Sequence, residues 1–194
     1  MEQMSGARLS EAIAYQIAEL ILSGEIESET KLRQEELAAT LQVSRIPVRE
    51  ALQILETQGL VQRLATRHVV SANLEDEHIR EIYGMIAAIE QQAITAVLQE
   101  EGPQAFVADA DDMTWHHRIM EKTKNLYVQT LLKNAIRFYV AYAERLPKEQ
   151  QSVPMRELLR AQPWEEKGAD LLQEHYCLLA QAVITERRKH HDRT

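Results

Sequence analysis

The feature that most constrains this chain is a pair of short helical patterns separated only by Gln42-Val43. Leu37, Ala38 and Leu41 place one apolar side on a helix over residues 34–41. A second helix begins after Ser44 and ends before Gly59, with Val48, Ala51, Leu52 and Leu55 in one stripe. So short a link forces a sharp turn between the helices. The second carries Arg45, Arg49 and Gln53, spaced by four, as a polar stripe beside its apolar one. Ser44 is suited to cap it, and Pro47 lies in its first turn, where a missing backbone N–H costs little. The pattern is a helix-turn-helix.

The flanking segments extend this reading. Leu9, Ile13, Ile17, Leu20 and Ile21 predict a helix over residues 7–23, stopped by Gly24. Leu60-Val61 and Val69-Val70 flank a polar tip over residues 62–68 and predict a small hairpin, the wing of a winged helix. Asn73 is a candidate cap for the next helix, and the domain boundary is placed here: a winged helix-turn-helix over residues 1–72 and an all-helical domain over residues 73–194. In the latter, helices are expected over residues 74–99, 104–124, 126–146 and 164–188, with a short one at 155–160 and an irregular stretch marked by Pro147, Pro154 and Pro163. Six Gly and five Pro in 194 residues agree with a mostly α fold. The basic run at residues 187–191 reads as a solvated, frayed end.

Ser44-Arg45-Ile46-Pro47-Val48-Arg49-Glu50-Ala51-Leu52, with Leu32, Glu36-Leu37-Ala38, Val43, Leu55 and Gly59-Leu60-Val61, closely resembles the amino-terminal domain of GntR-family bacterial transcription regulators over about residues 9–70. The resemblance implies a double-stranded DNA operator as partner, with Arg45 and Arg49 on the DNA. The physics agrees: the helix start after Ser44 suits a phosphate, and arginines in the first two turns of such a helix meet base edges, where one bidentate guanine contact discriminates by about 1–3 kcal/mol. Ile46 either touches a thymine methyl or packs against the turn. Arg63, Arg67 and His68 are wing candidates. Two positions depart from the family: Glu35-Glu36 stand where a basic residue is usual, and His68 where a wing-tip glycine is usual. Arg33 and Lys31 lie close enough to supply the missing charge.

The remainder resembles the effector-binding (FCD) domain of the FadR-like subfamily, through Asp112-Met113-Thr114-Trp115-His116, Asn125 and Glu174-His175. Asp112 and His116 share a helix face, and His175 arrives from the last long helix. The resemblance implies a divalent metal, zinc, nickel or manganese, held by Asp112, His116 and His175, and a small carboxylate effector beside it. The ligand set is incomplete. The family's further histidine lies on a later helix, whereas His190 and His191 follow His175 on one helix, about 20 Å or more away. Ile86 stands where an effector-binding arginine is usual, so Arg118, Arg137 and Tyr139 are the effector candidates. The short interval from Glu90 to Asp112 points to the reduced, VanR-like form.

A single cysteine, Cys177, excludes an internal disulfide framework and reads as an inert core residue. Neither a signal peptide nor an apolar run of bilayer length is expected, so the chain reads as cytoplasmic, with no membrane partner. Thirty acidic against 22 basic residues give a formal charge of −8. Neither domain is basic overall, so any DNA face is local, and non-specific DNA binding should be weak and salt-sensitive. The expected function is a homodimeric, effector-responsive regulator, a repressor, on a pseudo-palindromic operator. One alternative keeps the DNA-binding role and reduces the helical domain to dimerisation. Another, a metal-dependent hydrolase at Asp112, His116 and His175, leaves the helix-turn-helix unexplained, and no catalytic motif supports an enzyme.

Overall fold

The computed structural model describes residues 6–106, 111–148, 154–159 and 164–191. The described residues are mostly helical, with one two-stranded antiparallel hairpin among them. The chain forms two units, residues 1–75 with 186–194, and residues 76–185.

In the first unit, α1 (Gly6–Ser23) buries Ile13, Ala14, Ile17, Ala18 and Ile21. It packs on α3 (Arg45–Thr57), which buries Val48, Ala51, Leu52 and Leu55 completely. Each such leucine stabilises the unit by about 1.5–3 kcal/mol. Gly24, at φ +87°, ends α1 in the left-handed conformation that glycine adopts without steric cost. Between them, α2 (Gln34–Thr40) turns into α3 through Gln42, a non-glycine residue at φ +54°. Val43 N–H donates to Ala38 O at 3.0 Å and closes the turn. Strands β1 (Val61–Arg63) and β2 (Val69–Ser71) pair in the register Val61–Ser71, Gln62–Val70 and Arg63–Val69. Val61 and Val69 face inward, and residues 62–68 are exposed.

The end of the chain's last helix, α9 (Ala169–His191), groups with this unit from Glu186 onward. The basic run expected to fray is helical to His191, and the Arg187 guanidinium donates to the carbonyls of Ile21 and Leu22. It thereby adds a donor to carbonyls in the last turn of α1, where Ile21 O also accepts from Gly24 N–H at 3.3 Å.

In the second unit, α4 (Asp76–Glu101) buries Ile79, Tyr83, Ile86, Ala87, Glu90, Ala93, Ile94 and Val97, a stripe at helical spacing interrupted by one carboxylate. The helix starts at Asp76, not after Asn73, whose amide donates instead to Glu75 at 3.4 Å. Asp76 and Glu77 occupy the first turn, where acids favour the helix dipole. The helix expected over residues 104–124 is a 3₁₀ turn, Pro103–Phe106, followed by α5 (Asp112–Lys122), with residues 107–110 outside the described residues. Asp111 caps α5, its carboxylate accepting from Thr114 N–H and Oγ1–H, both at 2.8 Å. Thr114's donations lower the Asp111 pKa.

Helix α6 (Leu126–Ala135) passes through a π turn, Ile136–Val140, into α7 (Ala141–Glu144). A π turn inserts one residue, rotating everything beyond it by about 100° relative to an unbroken α-helix. Helix α8 (Met155–Leu158) and a second π turn, Trp164–Gly168, precede α9; Pro163 and Arg160 of the expected irregular and short-helix segments lie outside the described residues. Cys177 is exposed, contrary to the core position expected of it. His175 and Leu179 of α9 face inward, and a residue two positions after His175 is turned about 200° from it.

Candidate functional site

Two groups of functional side chains stand out, one on the surface of the first unit and one inside the second. On the first, the full burial of Val48, Ala51, Leu52 and Leu55 orients α3, so that Arg45, Ile46 and Arg49 are exposed, Ile46 at 61%. Ile46 therefore does not pack into the turn. Ser44 occupies the N-cap position of α3, but its side chain makes no capping bond, which differs from the expected cap. Arg45 Nη2 lies 2.7 Å from Glu35 Oε1 on α2, and Arg33 Nη1 2.7 Å from Glu36 Oε1. Lys31 Nζ and His68 Nε2 are 3.1 Å apart. Lys31, Arg33, Glu35, Arg45, Arg67 and His68 thus line one open cleft of about 330 Å³ between α2, the start of α3 and the wing.

The wing arginines divide. Arg63 is tied at 3.0 Å to Glu56, near the end of α3. Arg67 sits in the wing turn at φ +65°, with its N–H donating to Leu64 O at 2.8 Å, and Leu64 N–H donating to His68 O at 2.8 Å. The left-handed residue of this hairpin loop is thus Arg67, and not His68, where the usual glycine was aligned.

Inside the second unit, His116 of α5 and His175 of α9 are buried, with ring centroids 5.6 Å apart. The third member is Glu144, at the end of α7, and not Asp112. One ligand atom each from His116, Glu144 and His175 lie within 4.8 Å of one another. Asp112 is turned elsewhere: its Oδ1 accepts from Met155 N–H at 2.9 Å, holding the start of α8. His117 is exposed.

Glu90, wholly buried, fixes the orientation of this group. His116 Nδ1–H donates to its two oxygens at 2.8 and 3.0 Å, and the Tyr176 hydroxyl donates to Oε2 at 2.9 Å. With Nδ1 so engaged, His116 Nε2 faces the other ligands, 3.8 Å from Glu144 Oε1, and His175 Nε2 lies 3.1 Å from the same oxygen. Among the described residues, none of these three atoms has a hydrogen-bond partner. Buried polar atoms are almost always satisfied, so three orphans converging at these distances fit a cation that takes imidazole and carboxylate together, as zinc, nickel and manganese do.

The electrostatics fit as well. Burial disfavours a charged His116, but Glu90 and Glu144 outweigh it and push the pKa up to about 10. A divalent metal held at Nε2 would take the place of a proton there. Burial raises the Glu144 pKa, but His116, His175 and Lys148, whose Nζ is 2.9 Å from Oε2, hold it well below the usual carboxylate range.

Tyr83, Tyr139 and Tyr176 are buried in the same unit, and the Tyr83 hydroxyl donates to Tyr139 O at 2.8 Å. Burial pushes Tyr139 up to about 12, so it stays neutral and protonated. The Arg118 guanidinium lies 5.2 Å above the Trp115 ring and that of Arg137 5.5 Å from Phe138, so both expected effector arginines are engaged on aromatic faces. Ile86 is buried among the core residues of α4.

Sequence reasoning missed Glu90 and Glu144 as site members, although both carry a legible signal. Glu90 follows Ile86 by four and Glu144 follows Val140 by four, which puts an ionisable residue in an apolar stripe.

Among the described residues, no helix is long and apolar enough to cross a membrane. The gluconate operon transcriptional repressor of Bacillus subtilis (strain 168) is 29% identical over 151 residues, covering 68% of this chain and 62% of that one. That of Bacillus licheniformis is 38% identical over 87 residues, covering 45% of this chain and 35% of that one. The chain thus spans less than two thirds of these relatives' length. Among solved structures, E. coli McbR/YncC shares the fold, with a TM-score of 0.52 at 15% identity over 94% of this chain and 98% of that one. Both relatives are named as transcriptional repressors. Residues 9–69, which span α1, α2, α3 and the wing, match the family described as "Bacterial regulatory proteins, gntR family".

Proposed function

We propose that this chain is a cytoplasmic, sequence-specific DNA-binding transcription regulator, a repressor, that binds a pseudo-palindromic operator as a homodimer. The observation that carries this reading is the exposed pair Arg45 and Arg49 in the first two turns of a helix whose opposite stripe is fully buried. Side chains there reach base edges while the N-terminus of the helix meets phosphate. A two-fold dimer doubles the few base contacts that one unit offers. The names of the gluconate operon repressors support repression.

The helical unit, in this reading a shortened, VanR-like FCD domain, holds a divalent metal through His116, Glu144 and His175. Three protein ligands leave room for a small carboxylate effector, and Lys148 adds positive charge beside Glu144. The effector alters DNA affinity only by preferring one arrangement of the dimer. The engagement of Asp112 with Met155 favours a second reading, in which the helical unit serves dimerisation alone.

Selection of duplexes from a random library by the full chain tests the DNA role. Enrichment of a two-fold-related motif is expected, and Arg45→Ala with Arg49→Ala should weaken binding to it by about 10²–10⁴-fold. Equal retention of all duplexes defeats the reading. Metal content near zero after loading with zinc, nickel and manganese would select the dimerisation-only version.

A further inference from the structure

The DNA-facing cleft carries carboxylates where contact with a polyanion calls for positive charge. Glu35 and Glu36 lie in the first turn of α2, and each holds an arginine at 2.7 Å: Glu36 takes Arg33, the residue just before the helix, and Glu35 takes Arg45 across the turn, at the first residue of α3. The Arg45 and Glu35 side chains are 64% and 62% exposed, so in free protein the pair adds little stability. It is therefore poorly explained as a fold-holding contact.

Its geometry suits another task. A guanidinium presents five N–H donors in a rigid fork, and a carboxylate oxygen on Nη2 leaves donors enough for a bidentate contact with a guanine edge. A long side chain tethered in this way loses less rotamer freedom on reaching the base, and it can swing less easily to a phosphate. Glu35 itself repels phosphates that enter the cleft indiscriminately. We propose that Glu35 is a positioning residue that sets specificity, holding Arg45 in the orientation that reads a base and keeping it from serving as a non-specific phosphate contact. This inference rests on the DNA-binding reading above.

The experiment uses the full chain, a duplex recovered by selection from a random library, and a scrambled duplex of the same length and composition, across a salt series. Glu35→Gln removes the charge at an exposed position and leaves the fold intact. The variant should bind the scrambled duplex more tightly, and its selected-to-scrambled ratio should fall by about 5- to 150-fold, the range of one base contact. In an Arg45→Ala background the same substitution should leave the ratio unchanged. Equal gains on both duplexes would make Glu35 a bulk-charge effect and overturn the proposal. So would an undiminished loss of ratio in the Arg45→Ala background, since Glu35 would then act through another group. Wild-type protein that shows no preference for any duplex overturns the DNA reading itself, and is recognised before any variant is made.

Discussion

The two units place their functional chemistry oppositely. In the amino-terminal unit Arg45, Ile46 and Arg49 lie within five consecutive residues of one helix and face outward. In the helical unit Glu90, His116, Glu144 and His175 come from four helices and are buried or nearly so. A surface site on a single helix is fixed by the phase of that helix, which the apolar stripe sets. An interior site needs the tertiary packing of every helix that contributes to it. The first kind tolerates substitution in its fold and loses only contact; the second couples ligand binding to the core.

The sharpest way to break this contrast is to remove an interior ligand. His175→Ala should reduce zinc or nickel affinity by more than the 10- to 100-fold that loss of a supporting group costs, while intrinsic DNA binding by metal-free protein stays within about twofold. Calorimetric titration and gel shift on the same preparation check both. A parallel collapse of DNA affinity would show that the two units are not separable.

Next in size is Glu90→Gln, which keeps the shape but weakens the acceptor that orients His116. Metal affinity should fall about 10- to 100-fold, with the metal still bound at saturation. An unchanged titration would mean that packing alone orients the imidazole.

In the surface unit, Arg67→Gly should stabilise the fold by about 1 kcal/mol, because glycine adopts φ +65° without the clash a side chain meets. The same change should weaken DNA binding, read by gel shift against a urea midpoint. A variant more stable and equally tight would remove Arg67 from the DNA face.

The smallest effect concerns the α5 cap. Asp111's pKa is lowered by its bonds from Thr114, so its stabilising contribution is present above the unfolded carboxyl value of about 3.9 and fades as pH falls through the lower folded value. The stability difference between wild type and Asp111→Ala should therefore exist at neutrality and close on acidification. A difference that grows toward low pH would contradict the cap.

The same contrast explains what the sequence made legible. The arrangement of α1, α2, α3 and the wing followed from spacing, because a short turn and a clean apolar stripe leave one solution. The structure brings His116 and His175 to one place, with ring centroids 5.6 Å apart, whereas Asp112 was grouped with them because the four-residue interval puts it on the same face of α5. The spacing could not show that its carboxylate would be taken by Met155 N–H, a residue far along the chain. Nor could periodicity show the π turn before Glu144, since one inserted residue leaves composition and apolar content unchanged. Arg187 escaped for a similar reason: its acceptors on Ile21 and Leu22 exist only once α1 has ended.

Cys177 is the chain's single thiol, exposed on the same helix as the buried His175 and two residues from it. A maleimide fluorophore or spin label coupled there would attach at one known position without mutagenesis. Its emission or line shape would then report, in an unaltered sequence, whatever ligand loading does to that helix.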